Sequence, residues 1–290
     1  MTNFSILQNL IIPEGDVKQI TDARGVVLWS AASWPDDLDT GLEFTSASAF
    51  TIASSFQGWD GMIEYCNGNG WEKWDGNEIP SGKTESGQYI YLRGTGNTEF
   101  GGFSANHFIL NGSNIECNGN IEKLLDYATV IAGEHPTMSQ YCYNRLFYGC
   151  EALISAPDLP ATTLTEYCYL EMFRHCTSLK NAPSLPATTL AEYCYMDMFY
   201  FCSNLTGIPN LPATTLVYGC YKSMFEFCEK IKVSSTETDT YTRKYRIPYS
   251  GSGRTTSGAL DRMFSKTGGT FTGTPTFNTT YYLDSSNTIV

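Results

Sequence analysis

A 26-residue period in the second half of the chain constrains the fold more than any other feature. Cys142, Cys168, Cys194 and Cys220 are each 26 residues apart, and so are Cys150, Cys176, Cys202 and Cys228. Pro157, Pro183 and Pro209 keep the same step, and Leu-Pro-Ala-Thr-Thr begins at Leu159, Leu185 and Leu211. The units starting at Leu164 and Leu190 are identical at 15 of 26 positions. One such unit is too short to bury its own apolar face, so the copies must stack on one another.

Within a unit, Leu190, Cys194, Met198 and Cys202 recur every four residues and Leu205 follows on the same side. This spacing predicts a short amphipathic helix, with Thr188 or Thr189 placed to cap it. The stretch from Ser203 to Pro209 is too short for a helix and predicts a brief strand. Each unit is then strand, turn and helix, the strands forming a parallel sheet with helices fanned behind it. A polar insertion from Ser234 to Gly258 contains Tyr-Thr-Arg-Lys-Tyr-Arg-Ile-Pro, which reads as an extra strand. A worn copy of the repeat follows it, and residues 119–126 read as an entry cap.

The signature Met-Phe-x-x-Cys-x-x-Leu-x-x-x-Pro resembles the BspA-like class of bacterial leucine-rich repeats. The match falls on Phe147, Phe173, Phe199 and Phe225, on Cys150, Cys176, Cys202 and Cys228, and on Leu153, Leu179 and Leu205. The unit is longer than the family's by nearly a helical turn, the Glu-Tyr-Cys-Tyr segment. The resemblance spans residues 119–290 and implies an adhesive or ligand-binding surface protein without catalytic residues. The segment from Val17 to Trp29 resembles the opening segment of structural proteins of bacteriophages and prophages from gut bacteria. That implies a virion component, such as a fibre, decoration or receptor-binding protein, joined to other virion proteins through residues 1–35. Virion fibres are often trimers, although no heptad stretch is present here.

Ahead of the repeat, Val17 to Thr21 and Gly25 to Ser30 read as a hairpin around Asp22-Ala-Arg-Gly. Six strand-like runs follow: Leu42–Thr45, Phe50–Ala53, Met62–Cys66, Gln88–Arg93, His107–Leu110 and Ile115–Cys117. They predict an antiparallel sandwich or barrel. The expected fold class is thus α+β: an anchoring hairpin and linker over 1–35, a β-sandwich-like domain over 36–118, and a leucine-rich-repeat-like solenoid over 119–290.

The charge balance narrows the partners. Thirty acidic against 18 basic side chains, a net charge of −12, argue against a nucleic-acid groove, which needs clustered Lys and Arg. No run approaches the roughly 20 apolar residues that span a bilayer, and the start of the chain lacks a basic region before its apolar run. The cysteines, eight residues apart within a unit, are about 12 Å apart on a helix, too far for a shared ion or a disulfide. Small buried thiols are the expectation, with neither metal nor cofactor; pairing of Cys66 with Cys117 is left open.

The three histidines, His107, His135 and His175, form no catalytic motif, and His175 reads as a packing variant. No signature singles out an enzyme; a polysaccharide-active one, using paired carboxylates, is the remotest of the three functions weighed, after virion protein and bacterial cell-surface adhesin. Positions that vary between units while pointing outward are the candidate contacts for a host-surface protein or glycan. On the predicted strand side these are Ser155, Asn181 and Gly207, with Asp158, Ser184 and Asn210 beyond the prolines. On the predicted helix side they are Arg145, Glu171, Asp197 and Ser223, with Tyr148, Arg174, Tyr200 and Glu226. Concave faces serve as binding surfaces in solenoids, which favours the strand set, whereas Tyr and Arg are residue types that interfaces favour. Trp71 and Trp74 lie at a predicted loop edge where ring faces can stack on sugars, although core packing is the simpler expectation for the pair.

Overall fold

The computed structural model describes residues 19–21, 27–30, 34–55, 58–103, 106–249 and 258–290. Strands β1 (Gln19–Thr21) and β2 (Val27–Ser30) pair antiparallel, the hairpin expected there; its turn lies outside the described residues. The next nine strands are β3 (Leu42–Ser46), β4 (Thr51–Ser54), β5 (Met62–Cys66), β6 (Glu72–Lys73), β7 (Ile79–Pro80), β8 (Gly82–Lys83), β9 (Gln88–Thr95), β10 (Phe108–Asn111) and β11 (Ile115–Asn118). Alternation builds them: Leu42, Phe44 and Ser46 of β3 point inward while Glu43 and Thr45 are half-buried. They form a three-stranded sheet in the order β10-β4-β7 and the greater part of a larger sheet in the order β11-β3-β9-β5-β6, with β8 also on β9.

Strand β12 (Leu153–Ser155) already belongs to the repeat and pairs parallel with β11, so the larger sheet runs from the first part of the chain into the second. Between them lies α1 (Lys123–Ile131), packed against β9 and interrupted at Asp126, whose backbone is extended (φ −151°, ψ 100°). The Asp126 carboxylate restarts the helix by accepting from the Thr129 N–H at 2.9 Å.

The helices predicted in the repeat are absent, and this corrects the expected fold class. Among the described residues α1 is the one α-helix, and the segments read as helical are trains of turns. Each train, here called a rung, takes left-handed backbone at every fourth residue: Tyr141, Arg145 and Gly149; Tyr167, Glu171 and His175; Tyr193, Asp197 and Phe201; Gly219, Ser223 and Phe227; Gly258, Arg262 and Lys266. Backbone N–H groups alternate between two kinds of partner. Cys168, Leu170, Met172 and Arg174 donate to the carbonyl three residues back, whereas Tyr169, Glu171, Phe173 and His175 donate to Cys194, Met196, Met198 and Tyr200 of the next rung, at 2.9–3.0 Å. From Tyr167 to Cys176 every backbone donor is satisfied, half of them between rungs.

The four-residue apolar spacing has the same origin. An α-helix advances 100° per residue, so a strict step of four drifts by about 40° each time and needs i+3 and i+7 partners to hold one face. Here apolar pairs such as Cys168-Tyr169 and Met172-Phe173 recur at a step of four with a polar residue, Glu171, at i+3 of Cys168. A turn that closes every four residues keeps such pairs on one side without drift.

Identical positions in successive rungs stack into columns. Phe147, Phe173, Phe199, Phe225 and Phe264 lie ring over ring at 5.3–5.8 Å, and Tyr143, Tyr169, Tyr195 and Tyr221 at 5.6–5.7 Å. All are buried. The Cys176, Cys202 and Cys228 thiols each donate to a phenylalanine carbonyl of the preceding rung, at Phe147, Phe173 and Phe199, all at 3.0 Å. All ten cysteines are buried and free, Cys66 and Cys117 included.

The predicted parallel sheet is also largely missing. Beyond β12 it amounts to β13 (Gly207–Ile208) and isolated bridges at Thr163–Thr189, Asn120–Asp158 and Asn181–Gly207, because prolines two residues on cut each candidate strand short. After the fourth rung come β14 (Val233–Ser234), β15 (Tyr241–Arg246), β16 (Thr280–Asp284) and β17 (Thr288–Ile289). Strand β15 falls in the insertion where an extra strand is predicted. The order β14-β16-β15 makes one small sheet, and β17 pairs parallel with β13.

Both ends of the column are closed by other parts of the chain. The Phe100 and Gly101 N–H groups donate to the Cys142 carbonyl at 2.8 and 2.7 Å, and Phe108 donates to Leu146. Gly101 is required there, since a Cβ would lie 2.3 Å from the Asn144 carbonyl oxygen. At the far end the worn copy forms a full fifth rung: Tyr221, Ser223, Phe225 and Phe227 donate to Ala259, Asp261, Met263 and Ser265. One apolar core runs through from Leu42 to Leu283.

Candidate functional site

The left-handed positions run along one side of the column; Tyr141, Arg145, Tyr167, Glu171 and Tyr193 reach the surface there, whereas Asp197 and Ser223, expected to point outward, are buried with Gly219. Tyr141, Tyr167 and Tyr193 stack nearly parallel at 4.5 and 4.8 Å, with Phe103 and Tyr218 edge-on at the two ends. Their ring faces cover one another, so this ribbon offers a partner edges and hydroxyls rather than open faces. A second ribbon runs from His107 through Tyr148, His175, Tyr200 and Phe201 to Phe227. His175 packs on Phe201 at 5.1 Å, and burial lowers its pKa, consistent with a packing rather than a chemical role.

Between the ribbons lies a column of charge: Arg145, Glu171, Asp197, Ser223 and Arg262. Arg145 Nε donates to Glu171 at 2.9 Å, and Arg174 Nη1 is 3.8 Å from Asp197. The Arg174 guanidinium lies over the Tyr200 ring at 4.0 Å, and that of Arg145 over Tyr148 at 5.5 Å. Glu226 is buried and pairs with Arg262 of the fifth rung. Asp197 is buried too, and burial pushes its carboxyl up to about 6 against the opposing pull of Arg174. Tyr148, Arg174 and Tyr200, predicted from the sequence as outward residues, therefore meet on one surface with the variable charges.

The strand-side candidates are more dispersed. Asp158 and Ser184 line one shallow groove with Pro160 and Pro186. Ser155 is half-buried in β12, Asn181 is exposed and bridges to Gly207, and Asn210 is exposed beyond that groove. The tryptophan pair is not a sugar platform. Trp74 is 1% exposed, packs on Trp59 and Phe108, and donates to the Asn77 carbonyl at 2.7 Å. One face of Trp71 is covered by the Arg93 guanidinium at 4.0 Å, and its indole N–H is taken by Asp37 at 2.8 Å.

One polar pair was not legible in the sequence. Glu122, in the segment read as an entry cap, faces His135 at the mouth of a pocket beside the first two rungs. The two are 13 residues apart with no motif joining them, and the burial of a carboxylate leaves no trace in local pattern. Among the described residues no group of three or more His, Cys, Asp or Glu is arranged to hold a metal ion, and no helix is long and apolar enough to cross a membrane. Comparison with protein-family models, curated proteins and solved structures finds no match to this chain.

Proposed function

We propose that this chain is a non-enzymatic structural protein of a phage virion that displays its stacked repeats for adhesion to a host-surface protein or glycan. The observation that carries the reading is the division of labour within each rung. Inward positions repeat as Cys, Tyr, Met or Leu and Phe, while the middle left-handed position changes from Arg145 to Glu171, Asp197, Ser223 and Arg262. A rigid stack suits recognition where its varying positions reach the surface, at Arg145 and Arg262 with Tyr148, Arg174 and Tyr200 beside them, because the backbone lattice holds each contact residue in place whatever its identity; Asp197 and Ser223 of the same column are buried. The aromatic and arginine content of that surface, Tyr148, Arg174 and Tyr200, matches what binding interfaces favour. Attachment to the particle is assigned to residues 1–35 on their resemblance to the opening segment of phage structural proteins.

Deleting residues 1–35 tests the attachment: the expected product is folded and soluble but no longer joins its particle, and retained incorporation refutes it. Replacing Tyr148 and Tyr200 together with alanine tests the adhesive face. Host-cell binding is expected to fall at least tenfold with the thermal midpoint little changed; unchanged binding refutes the assignment. A bacterial cell-surface adhesin is the second reading, favoured by the BspA-like residues of the repeat, and neighbouring genes for secretion rather than for capsid or tail proteins would select it.

A further inference from the structure

The pocket beside the entry to the column is unused by the adhesive face. Glu122 is 1% exposed, yet both its oxygens face the same imidazole nitrogen, Nδ1 of His135, at 2.8 and 3.0 Å. His135 itself is 58% exposed in its side chain. The pair opens on a pocket of about 260 Å³ whose other walls include Met138, Ala161, Thr163 and Thr165.

A buried carboxylate costs several kcal/mol to desolvate, a cost that packing alone does not return. What Glu122 does supply is orientation. An ionised carboxylate only accepts hydrogen bonds, so the imidazole must present Nδ1–H to it, which turns Nε2 away from Glu122 with a defined lone pair in the neutral ring. Aimed imidazole, threonine hydroxyls and an apolar wall of Ala161 and Met138 make a concave site with few, fixed polar groups.

We propose that this pocket is a saccharide subsite that takes one neutral, hexose-sized unit. Neutral sugar fits because a hydroxyl can donate to Nε2 while the sugar's C–H face lies on the apolar wall. Anionic ligands do not fit: no Lys or Arg lines the pocket, and the Glu122 charge stands at its base. The inference rests on the adhesive reading for its biological setting, since it names a glycan unit as the ligand, but its site is separate from the turn face.

The test uses the full chain and ligand-observed saturation-transfer NMR with methyl α-glucoside, methyl α-galactoside and N-acetylglucosamine, and glucuronate as the anionic probe. At least one neutral sugar is expected to receive saturation and to shift the His135 ring signals, with glucuronate inert. His135→Ala, on an exposed ring, and Thr163→Val are each expected to weaken that binding at least tenfold. Lost sugar binding in His135→Ala supports the subsite whether or not host-cell adhesion persists, so the two readings fail separately. Absence of saturation transfer to every neutral sugar, or undiminished binding by both pocket variants, overturns it.

Discussion

Asp197→Asn isolates the electrostatic cost of the outer column. Burial lifts the Asp197 carboxyl from 3.8 to about 6 in the folded protein, although Arg174 lies 3.8 Å away. Between the two values the folded chain holds a proton that the unfolded chain has released, so stability falls as pH rises from about 4 to about 6 and is level above. At 1.36 kcal/mol per unit the shift corresponds to about 3 kcal/mol, and solvent reaching the rim of the site brings this to about 1–2 kcal/mol. Asparagine is neutral throughout, nearly isosteric, and tolerates the left-handed backbone at this position, where φ is 52°. In paired urea titrations the variant is expected to match the wild type near pH 3.5 and to exceed it by about 1–2 kcal/mol at pH 7.5. A variant less stable than wild type at pH 7.5, or a difference independent of pH, refutes the reasoning and shows that the Arg174 pairing outweighs burial.

Phe199→Ala removes a fully buried ring from between Phe173 and Phe225 and is expected to cost about 3–5 kcal/mol in chemical denaturation, against under about 1 kcal/mol for the exposed Phe201→Ala. Lys266 is exposed with φ 60°, so Lys266→Gly is expected to stabilise by about 1 kcal/mol and Lys266→Val to destabilise, read from thermal midpoints. Burial raises the pKa of the Cys150, Cys176, Cys202 and Cys228 thiols, and a thiol reagent at pH 8 is expected to label none of the ten cysteines in native protein and all ten in denaturant.

The stacking of repeats and their inward apolar residues were legible in the sequence, because a fixed period ties each position to an equivalent neighbour. The six strand-like runs before the repeat each coincide with an observed strand, since alternation of apolar and polar residues is a local signal. The conformation inside the rung was not legible as read. Leu190, Cys194, Met198 and Cys202 satisfy a helical template, and only the pairing of apolar neighbours at a strict step of four distinguishes a train of turns from a helix.

Left-handed backbone at Glu171 or Phe201 has no local cause, since neither residue type favours it. It persists because each rung's N–H groups are claimed by the carbonyls of the next, a bond that exists only once the column is assembled. Trp71 and Trp74 differ for the same reason: two tryptophans in one short motif were divided by the tertiary structure between a cation stack and the core. The approach of His135 to the carboxylate of Glu122 likewise depends on α1 and the following loop folding back toward the first rungs. The sequence by itself determined that the chain repeats and which apolar residues each repeat buries, because apolar pattern is written residue by residue, whereas Asp197, Ser223 and Glu226, read as outward, are buried. Tertiary structure alone decided the backbone of the rungs and which polar groups meet, because those depend on hydrogen bonds and contacts between segments that no single segment encodes.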